Sequence, residues 1–191
     1  MTRRRINDGP STSDIASAVN ADLAGLNCLP CYRWHRIVLT RKGHPLANRE
    51  LSIAELVEFP LITHEFDASR DSSFLRTFAE KQLNPNVVHA AHDADVIKAY
   101  VRLGMGVGIL APMAITEKDS DEFHTISAAG LFSPVTTWIA SPGQQALQGY
   151  MLDFIALLAP HWSRDSIEQL VAASSQDEID ARAREIELPV V

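Results

Sequence analysis

Cys28-Leu29-Pro30-Cys31 has the spacing of a thioredoxin-type redox motif. That chemistry needs a helix after the first Cys, where the helix dipole lowers the thiol pKa. Tyr32 to Thr40 read instead as strand, and two thiols fall short of the four ligands of a structural zinc site. Gly104-Met105-Gly106-Val107-Gly108 has the look of a phosphate loop. A dinucleotide fingerprint, however, follows a strand and opens a helix. Here the glycines follow a helix and open a strand, so Gly104 reads as a helix C-cap. His89, His92, Asp93 and Asp95 could be assembled into a metal site on paper. Yet His89 falls in an expected strand and Asp93 caps an expected helix, and no third His completes the set. The chain has seven His, but no nucleophile-elbow pattern accompanies them. Catalysis, a metal and a cofactor therefore have no support from the residues.

Ligand binding has more. In open α/β sheets a ligand sits beyond the carboxyl ends of the strands, where helix N-termini point inward. Two such ends are expected. Pro60 to Thr63 leads through His64 to Ser69 and Arg70, and Val87 to Ala91 leads to His92 and Asp93. Ser69 offers a hydroxyl beside a helix start and Arg70 a positive charge, which together suit an anion. Asp93 and Asp95 would repel an anion and suit an ammonium group. An amino-acid-like effector could use both ends. A plain N-capping role for Ser69 is an equal alternative. The candidate effector contacts are Ser69, Arg70, Thr63, His64, His92 and Asp93.

These loops need a scaffold, and the chain punctuates one clearly. Asp93 can cap a helix whose apolar stripe is Val96, Ile97, Tyr100, Val101 and Leu103, stopped by Gly104. Val107 to Leu110 continue as an apolar strand. Ser52 and Glu55 form a capping box, with Leu51 and Leu56 as its hydrophobic staple. Strands flank that helix at Arg36 to Thr40 and Pro60 to Thr63. Phe74, Leu75 and Phe78 mark a further helix, Asn86 to Ala91 a strand, and Thr136 to Ala140 another. Ser141-Pro142 reads as the start of a long helix with Pro at its first turn. Its expected buried stripe is Leu147, Tyr150, Met151, Phe154, Ile155 and Leu158, and Pro160 ends it. Ser163 and a Ser175/Glu178 capping box open two short C-terminal helices. Strands alternating with helices predict an α/β lobe with a largely parallel sheet.

Several of these runs carry a family resemblance. Asp93-Ala94-Asp95-Val96-Ile97-Lys98, then Tyr100 to Gly108 (YVRLGMGVG), is similar to the regulatory domain of LysR-type transcriptional regulators, and within them to the CysB branch. Leu29 to Trp34 (LPCYRW), His44-Pro45-Leu46, Leu51 to Leu61, Tyr150 to Ile155, Ala159-Pro160-His161 and the Glu178 to Pro189 tail share the likeness. The resemblance accounts for Cys31 alone, with Cys28 as an extra. It implies a type 2 periplasmic-binding-protein-like fold and control of sulfur assimilation and cysteine synthesis. It also implies a small-molecule effector: sulfate or thiosulfate, or O-acetylserine or N-acetylserine. In the CysB-like pattern a threonine in the first loop helps hold a sulfate-like anion, and Ser69 stands there with its hydroxyl kept. His64, Glu65 and Asp67 replace less charged residues, and His92 replaces a small hydroxyl residue.

The resemblance also sets the expected organisation. Residues 1–28 would be a disordered N-terminus and a remnant of the first regulatory lobe. In it 11–24 would be a helix followed by a strand start at Asn20-Ala21-Asp22-Leu23. Residues 29–141 would be the second lobe, 142–160 a helix returning to the first, and 161–191 a helical tail. Neither a helix-turn-helix nor the threonine-rich loop of the CysB pattern is recognisable. The chain is thus expected to be the effector-binding domain of such a regulator without its DNA-binding head. DNA would be reached only through that missing domain, and the family's pairing habit predicts a homo-oligomer, dimer or tetramer. The same two-lobed plan serves periplasmic-type binding proteins for an anion or amino acid, which is the alternative reading.

Composition agrees with a soluble domain. The 191 residues can bury roughly 70% of their unfolded surface. A net charge of −7 argues against a domain that grips phosphates, and Arg3-Arg4-Arg5 is read as a solvated tail. No run has transmembrane length and no secretory segment is recognisable, so the expected compartment is the cytoplasm, with no membrane partner.

Overall fold

The computed structural model describes residues 16–19, 26–49, 51–70, 72–142, 147–173 and 175–191. It divides into two compact units, one built around Arg33–Thr136 and the other joining residues 26–32 to Thr137–Pro189.

The larger unit holds a five-stranded sheet. Its strands are β3 (Ile37–Arg41), β4 (Leu61–His64), β5 (Val87–Ala91), β6 (Val107–Leu110) and β7 (Phe123–Ser127), in the order β5-β4-β6-β3-β7. β4 pairs in parallel with β5 and β6, whereas β3 pairs antiparallel with β6 and β7. Four strands therefore share one direction, as expected, and β3 alone is reversed, which makes the sheet mixed. The reversal matters for function: Ile37 pairs with Leu110, so the start of β3 lies at the edge where β6 ends.

Both faces of this sheet are covered, and the strands alternate accordingly. Val38, Leu61, Val107 and Ile109 pack with α1 (Ile53–Leu56), α2 (Ser73–Glu80) and Phe132. Leu39, Ile62 and Leu110 pack with α3 (Ala94–Arg102). The capping box of α1 forms as expected: Glu55 N–H donates to Ser52 Oγ at 3.2 Å and Ser52 N–H to Glu55 at 3.0 Å. Leu51 and Leu56 join the same core cluster.

Helix α3 starts and stops where the residues said. The Asp93 carboxylate accepts from Asp95 N–H at 2.6 Å. Gly104 takes φ +76°, with Gly104 N–H donating to Val101 C=O at 2.9 Å and Met105 N–H to Tyr100 C=O at 3.1 Å. Those two bonds are a Schellman motif. The buried stripe is narrower than expected: Ile97 and Val101 are fully buried, but Val96 and Leu103 are exposed. The inner line seats on Gly108, whose missing side chain leaves room for Ile97 and Val101.

The smaller unit contains β1 (Ala16–Val19), β2 (Leu26–Trp34) and β8 (Val135–Pro142), ordered β1-β8-β2. Both β2 and β8 extend into the residues of the larger unit. Helices α4 (Gly149–Leu158), α5 (Arg164–Val171) and α6 (Gln176–Ala183) complete it. Leu29, Cys31 and Ile139 meet Leu152, Ile155, Trp162, Ile167 and Ile179 in its core, and Trp162 Nε1 donates to Pro30 C=O at 2.9 Å.

Four expectations are corrected here. Ala16–Val19 is strand where a helix was expected; 11–15 and 20–25 lie outside the described residues. Ser141-Pro142 ends β8 rather than opening a helix, because Pro is tolerated where a ladder finishes; α4 begins at Gly149, and 143–146 lie outside the described residues. The core face of α4 is Met151, Leu152 and Ile155, while Tyr150 and Phe154 are exposed. Ser163 does cap α5, accepting from Ser166 N–H at 3.1 Å, but the Ser175 side chain makes no cap bond on α6.

The cysteine pair lies along β2, not before a helix. Both thiols are free and buried. Burial pushes the Cys31 thiol up to about 11 and raises that of Cys28, the reverse of what thiol chemistry requires.

Candidate functional site

The carboxyl edge of the parallel strands in the larger unit gathers the candidate residues on two loops. The first leaves β4 at His64 and reaches α2; the second leaves β5 at Ala91 and reaches α3. They are tied together by Glu65 N–H donating to Ala91 C=O at 3.1 Å. An exposed side-chain contact, His92 Nε2 to Glu65 Oε1 at 2.9 Å, adds a second tie.

Within the first loop the roles differ from residue to residue. Thr63 is fully buried, and its hydroxyl lies 3.0 Å from Asp67 Oδ2 and 3.3 Å from Ile109 C=O. His64 is half-buried and stacks on Phe66 at 5.0 Å. Ser69 is exposed and donates to Phe66 C=O at 2.8 Å. It does not cap the helix. That role falls to Ser72, whose hydroxyl accepts from Leu75 N–H at 3.1 Å and donates to Asp67 C=O at 2.5 Å. Arg70 is exposed and has no ion pair among the described residues. Of the six candidates, then, Ser69, Arg70 and His92 face water, His64 is half-covered, Asp93 caps α3 and Thr63 braces the loop from inside.

The acidic second loop is partly spoken for. Asp95 pairs with Lys98 Nζ at 2.8 Å, and Lys98 also reaches Asp119 at 3.2 Å and Ala114 C=O at 3.1 Å. The bond to Asp95 raises the Lys98 pKa, and hydrogen bonding by the Thr116 amide lowers that of Asp119. Asp93 of this loop caps α3 and has no ion pair among the described residues. His89 packs edge-on against Tyr100 at 4.4 Å, and no group of His, Cys, Asp and Glu suited to a metal occurs among the described residues.

Sequence reasoning missed the strongest electrostatic feature of this edge. Arg36, at the start of β3, is completely buried and forms an ion pair with buried Asp67. Arg36 Nε lies 3.1 and 3.2 Å from the two carboxylate oxygens, Nη2 donates to Ser73 Oγ at 3.2 Å, and Nη1 to Ser133 C=O at 3.4 Å. Phe74 and Phe132 flank the guanidinium at 5.9 and 5.7 Å. One ion pair thus holds the first loop, the start of β3 and the start of α2 in one arrangement. An isolated Arg at the head of an apolar run was the only available signal, and its partner lies 31 residues away.

Histidine burial is expected to make the fold acid-sensitive. Burial lowers the pKa of His64, against the opposing pull of Asp67 and Asp93, and likewise lowers those of His44 and His161. A depressed folded pKa contributes stability that is present above the unfolded value of about 6.5 and is lost as pH falls through the folded value. The thermal midpoint should hold steady above neutrality and decline below about pH 6.5. His64→Gln should flatten that decline; an unchanged profile would exclude His64 as a contributor.

The fold and this loop-built edge define a class: the effector-binding domains of LysR-type regulators, which have the type 2 periplasmic-binding-protein-like fold. The solved cofactor-binding domain of the Cbl transcriptional regulator is similar at 28% identity and a TM-score of 0.75, covering 84% of this chain and 72% of that one. Residues 15–163 match the family model of the LysR substrate binding domain. The HTH-type transcriptional regulator CysB of Haemophilus influenzae is 44% identical over 142 residues, covering 74% of this chain and 44% of that protein. The regulator SsuR of Burkholderia cenocepacia is 38% identical over 143 residues, covering 74% and 46%. The chain belongs to the LysR substrate-binding-domain family, and it spans less than half the length of those two relatives. No helix among the described residues is long and apolar enough to cross a membrane.

Proposed function

We propose that this chain senses a small-molecule effector for a CysB-like regulator of sulfur assimilation and cysteine biosynthesis, and that it is not an enzyme. The supporting observation is the family match over 15–163 together with 44% identity to a CysB protein. On this reading it acts in the cytoplasm, as a dimer or tetramer. Residues 29–141 form the second regulatory lobe, 142–160 return to the first lobe, to which 1–28 also belong, and 161–191 are a helical tail. The effector is a sulfate-like anion or an acetylated serine. Ser69 and Arg70 meet the anionic group, His64 and His92 line its approach, and Asp93 takes an ammonium group where there is one. Thr63 holds the loop rather than the ligand.

Exposed contacts of this kind contribute on the order of 0.3–1 kcal/mol each at a helix end and are screened by salt. Binding should therefore be about millimolar. Calorimetry with sulfate, O-acetylserine and N-acetylserine should give small heats that Ser69→Ala with Arg70→Ala abolishes. Micromolar binding that survives both substitutions would place the site elsewhere.

A further inference from the structure

Strand β2 has a single strand neighbour, β8, among the described residues, so it is an edge of its sheet. An unpaired edge presents a row of amides and carbonyls that has to be covered. Here side chains and the last residues of the chain do what a strand would. Gln176, in the first turn of α6, meets both main-chain groups of Cys28. Cys28 N–H donates to Gln176 Oε1 at 2.8 Å, and Gln176 Nε2 donates to Cys28 C=O at 3.0 Å. That is the pair of bonds one residue of an antiparallel neighbour would exchange. Gln176 Nε2 also donates to Asp180 Oδ1 at 2.8 Å, one turn on, which fixes the amide's orientation. Pro30 has no N–H to cover, and its carbonyl is taken by Trp162. Further along, Val191 N–H donates to Arg33 C=O at 2.9 Å, beside a parallel bridge between Val190 and Arg33.

Packing holds this cover only thinly. Within residues 175–191, Ile179 and Leu188 alone have buried apolar side chains, and Ser175 makes no side-chain cap on α6. A segment with few buried apolar contacts opens at a lower cost than the whole domain. We infer that α6 and the residues after it form a latch on the edge of β2, closed by Gln176 and able to open while the rest of the domain stays folded. Opening frees the main chain of Cys28 and uncovers its side chain, which is 6% exposed with the latch shut. Helix α6 reaches that side chain: burial, and then the Asp180 carboxylate, raise the thiol pKa. Cys31 stays covered, because Ile139 of β8, Leu152 and Ile155 of α4 and Ile167 of α5 share its core cluster. The two thiols therefore report on different events, Cys28 on the latch and Cys31 on the whole fold.

The test alkylates the full chain with excess N-ethylmaleimide under native conditions, and fragment masses assign each adduct to Cys28 or Cys31. Cys28 should react at least tenfold faster than Cys31. Its rate should also rise less steeply with urea, because opening the latch exposes less surface than unfolding. Gln176→Ala should raise the Cys28 rate at least tenfold. Gln176→Glu keeps an acceptor for Cys28 N–H but loses the donor for its carbonyl, and should raise the rate less. Ile155→Val, a core change on α4, should raise the Cys31 rate at least twofold and leave the Cys28 rate unchanged, since the latch opens without unfolding α4. Equal rates and equal urea slopes at the two thiols would overturn the inference, because both would then wait for global unfolding. So would a Cys28 rate that follows Cys31 in Ile155→Val, one indifferent to both Gln176 variants, or one that already equals the rate of an unstructured thiol in the unaltered chain.

Discussion

Arg36→Met is expected to lower the unfolding free energy by about 3–5 kcal/mol, the cost of stranding a buried charge. Arg36 and Asp67 are 0% and 1% exposed, so neither can turn to water when its partner is lost. The carboxylate would keep the Thr63 hydroxyl near it but lose the guanidinium that meets both its oxygens. A thermal midpoint depressed by on the order of 10 °C is the corresponding readout. Asp67→Leu should be comparably harmful. The double variant should recover much of the loss, because an apolar pair of similar volume does not leave a charge unmet. Denaturant titration of the four proteins measures the coupling. Additive losses would show that the pair contributes nothing as a pair. The proposed effector edge should suffer in the same order, since the guanidinium joins Asp67, in the loop that carries Ser69 and Arg70, to Ser73 at the start of α2.

That pair also shows where a sequence stops being legible. Periodicity and caps are local, so α1, α3 and the strands around them were readable from neighbouring residues: Ser52 with Glu55, Asp93 with Asp95, Gly104 after its helix. The ion pair joins residues brought together only by sheet order, with β3 inserted between β6 and β7. Nothing within a helical or strand period of Arg36 announces Asp67. The error at Ser141-Pro142 has the same origin. A Ser-Pro step is a good helix start in isolation, but β8 lies between β1 and β2 in the sheet, and tertiary pairing overrides the local preference. Ser69 reads as standing beside a helix start, yet the cap belongs to Ser72, three residues on, whose N–H donates to Ser69 C=O. The stripe of α4 could not be assigned from periodicity because the helix is apolar nearly all round.

Gly106→Ala should be among the most damaging single-methyl additions in the chain. A Cβ at Gly106 would stand 2.5 Å from the Pro60 carbonyl oxygen and 3.1 Å from its carbon. Those are backbone atoms, which cannot swing aside as a side-chain tip would. The same carbonyl accepts from Val107 N–H at 2.8 Å, immediately before the parallel pairing of Leu61 with Val107. Relief therefore requires β6 to move away from β4, which strains that bond and disturbs the seat of Ile97 and Val101 on Gly108. Overpacking of this kind costs about 1–3 kcal/mol, and the rigidity of both strands points to the upper end. Gly130→Ala provides the control: its added methyl meets nothing within 4 Å, so the change should stay within about 0.5 kcal/mol. Equal losses at the two positions would mean that loss of glycine itself, not the approach of Pro60, sets the cost. Because β4, which β6 pairs with, leads into the first loop of the proposed effector site, Gly106→Ala should weaken effector binding as well as the fold, whereas Gly130→Ala should leave both unchanged.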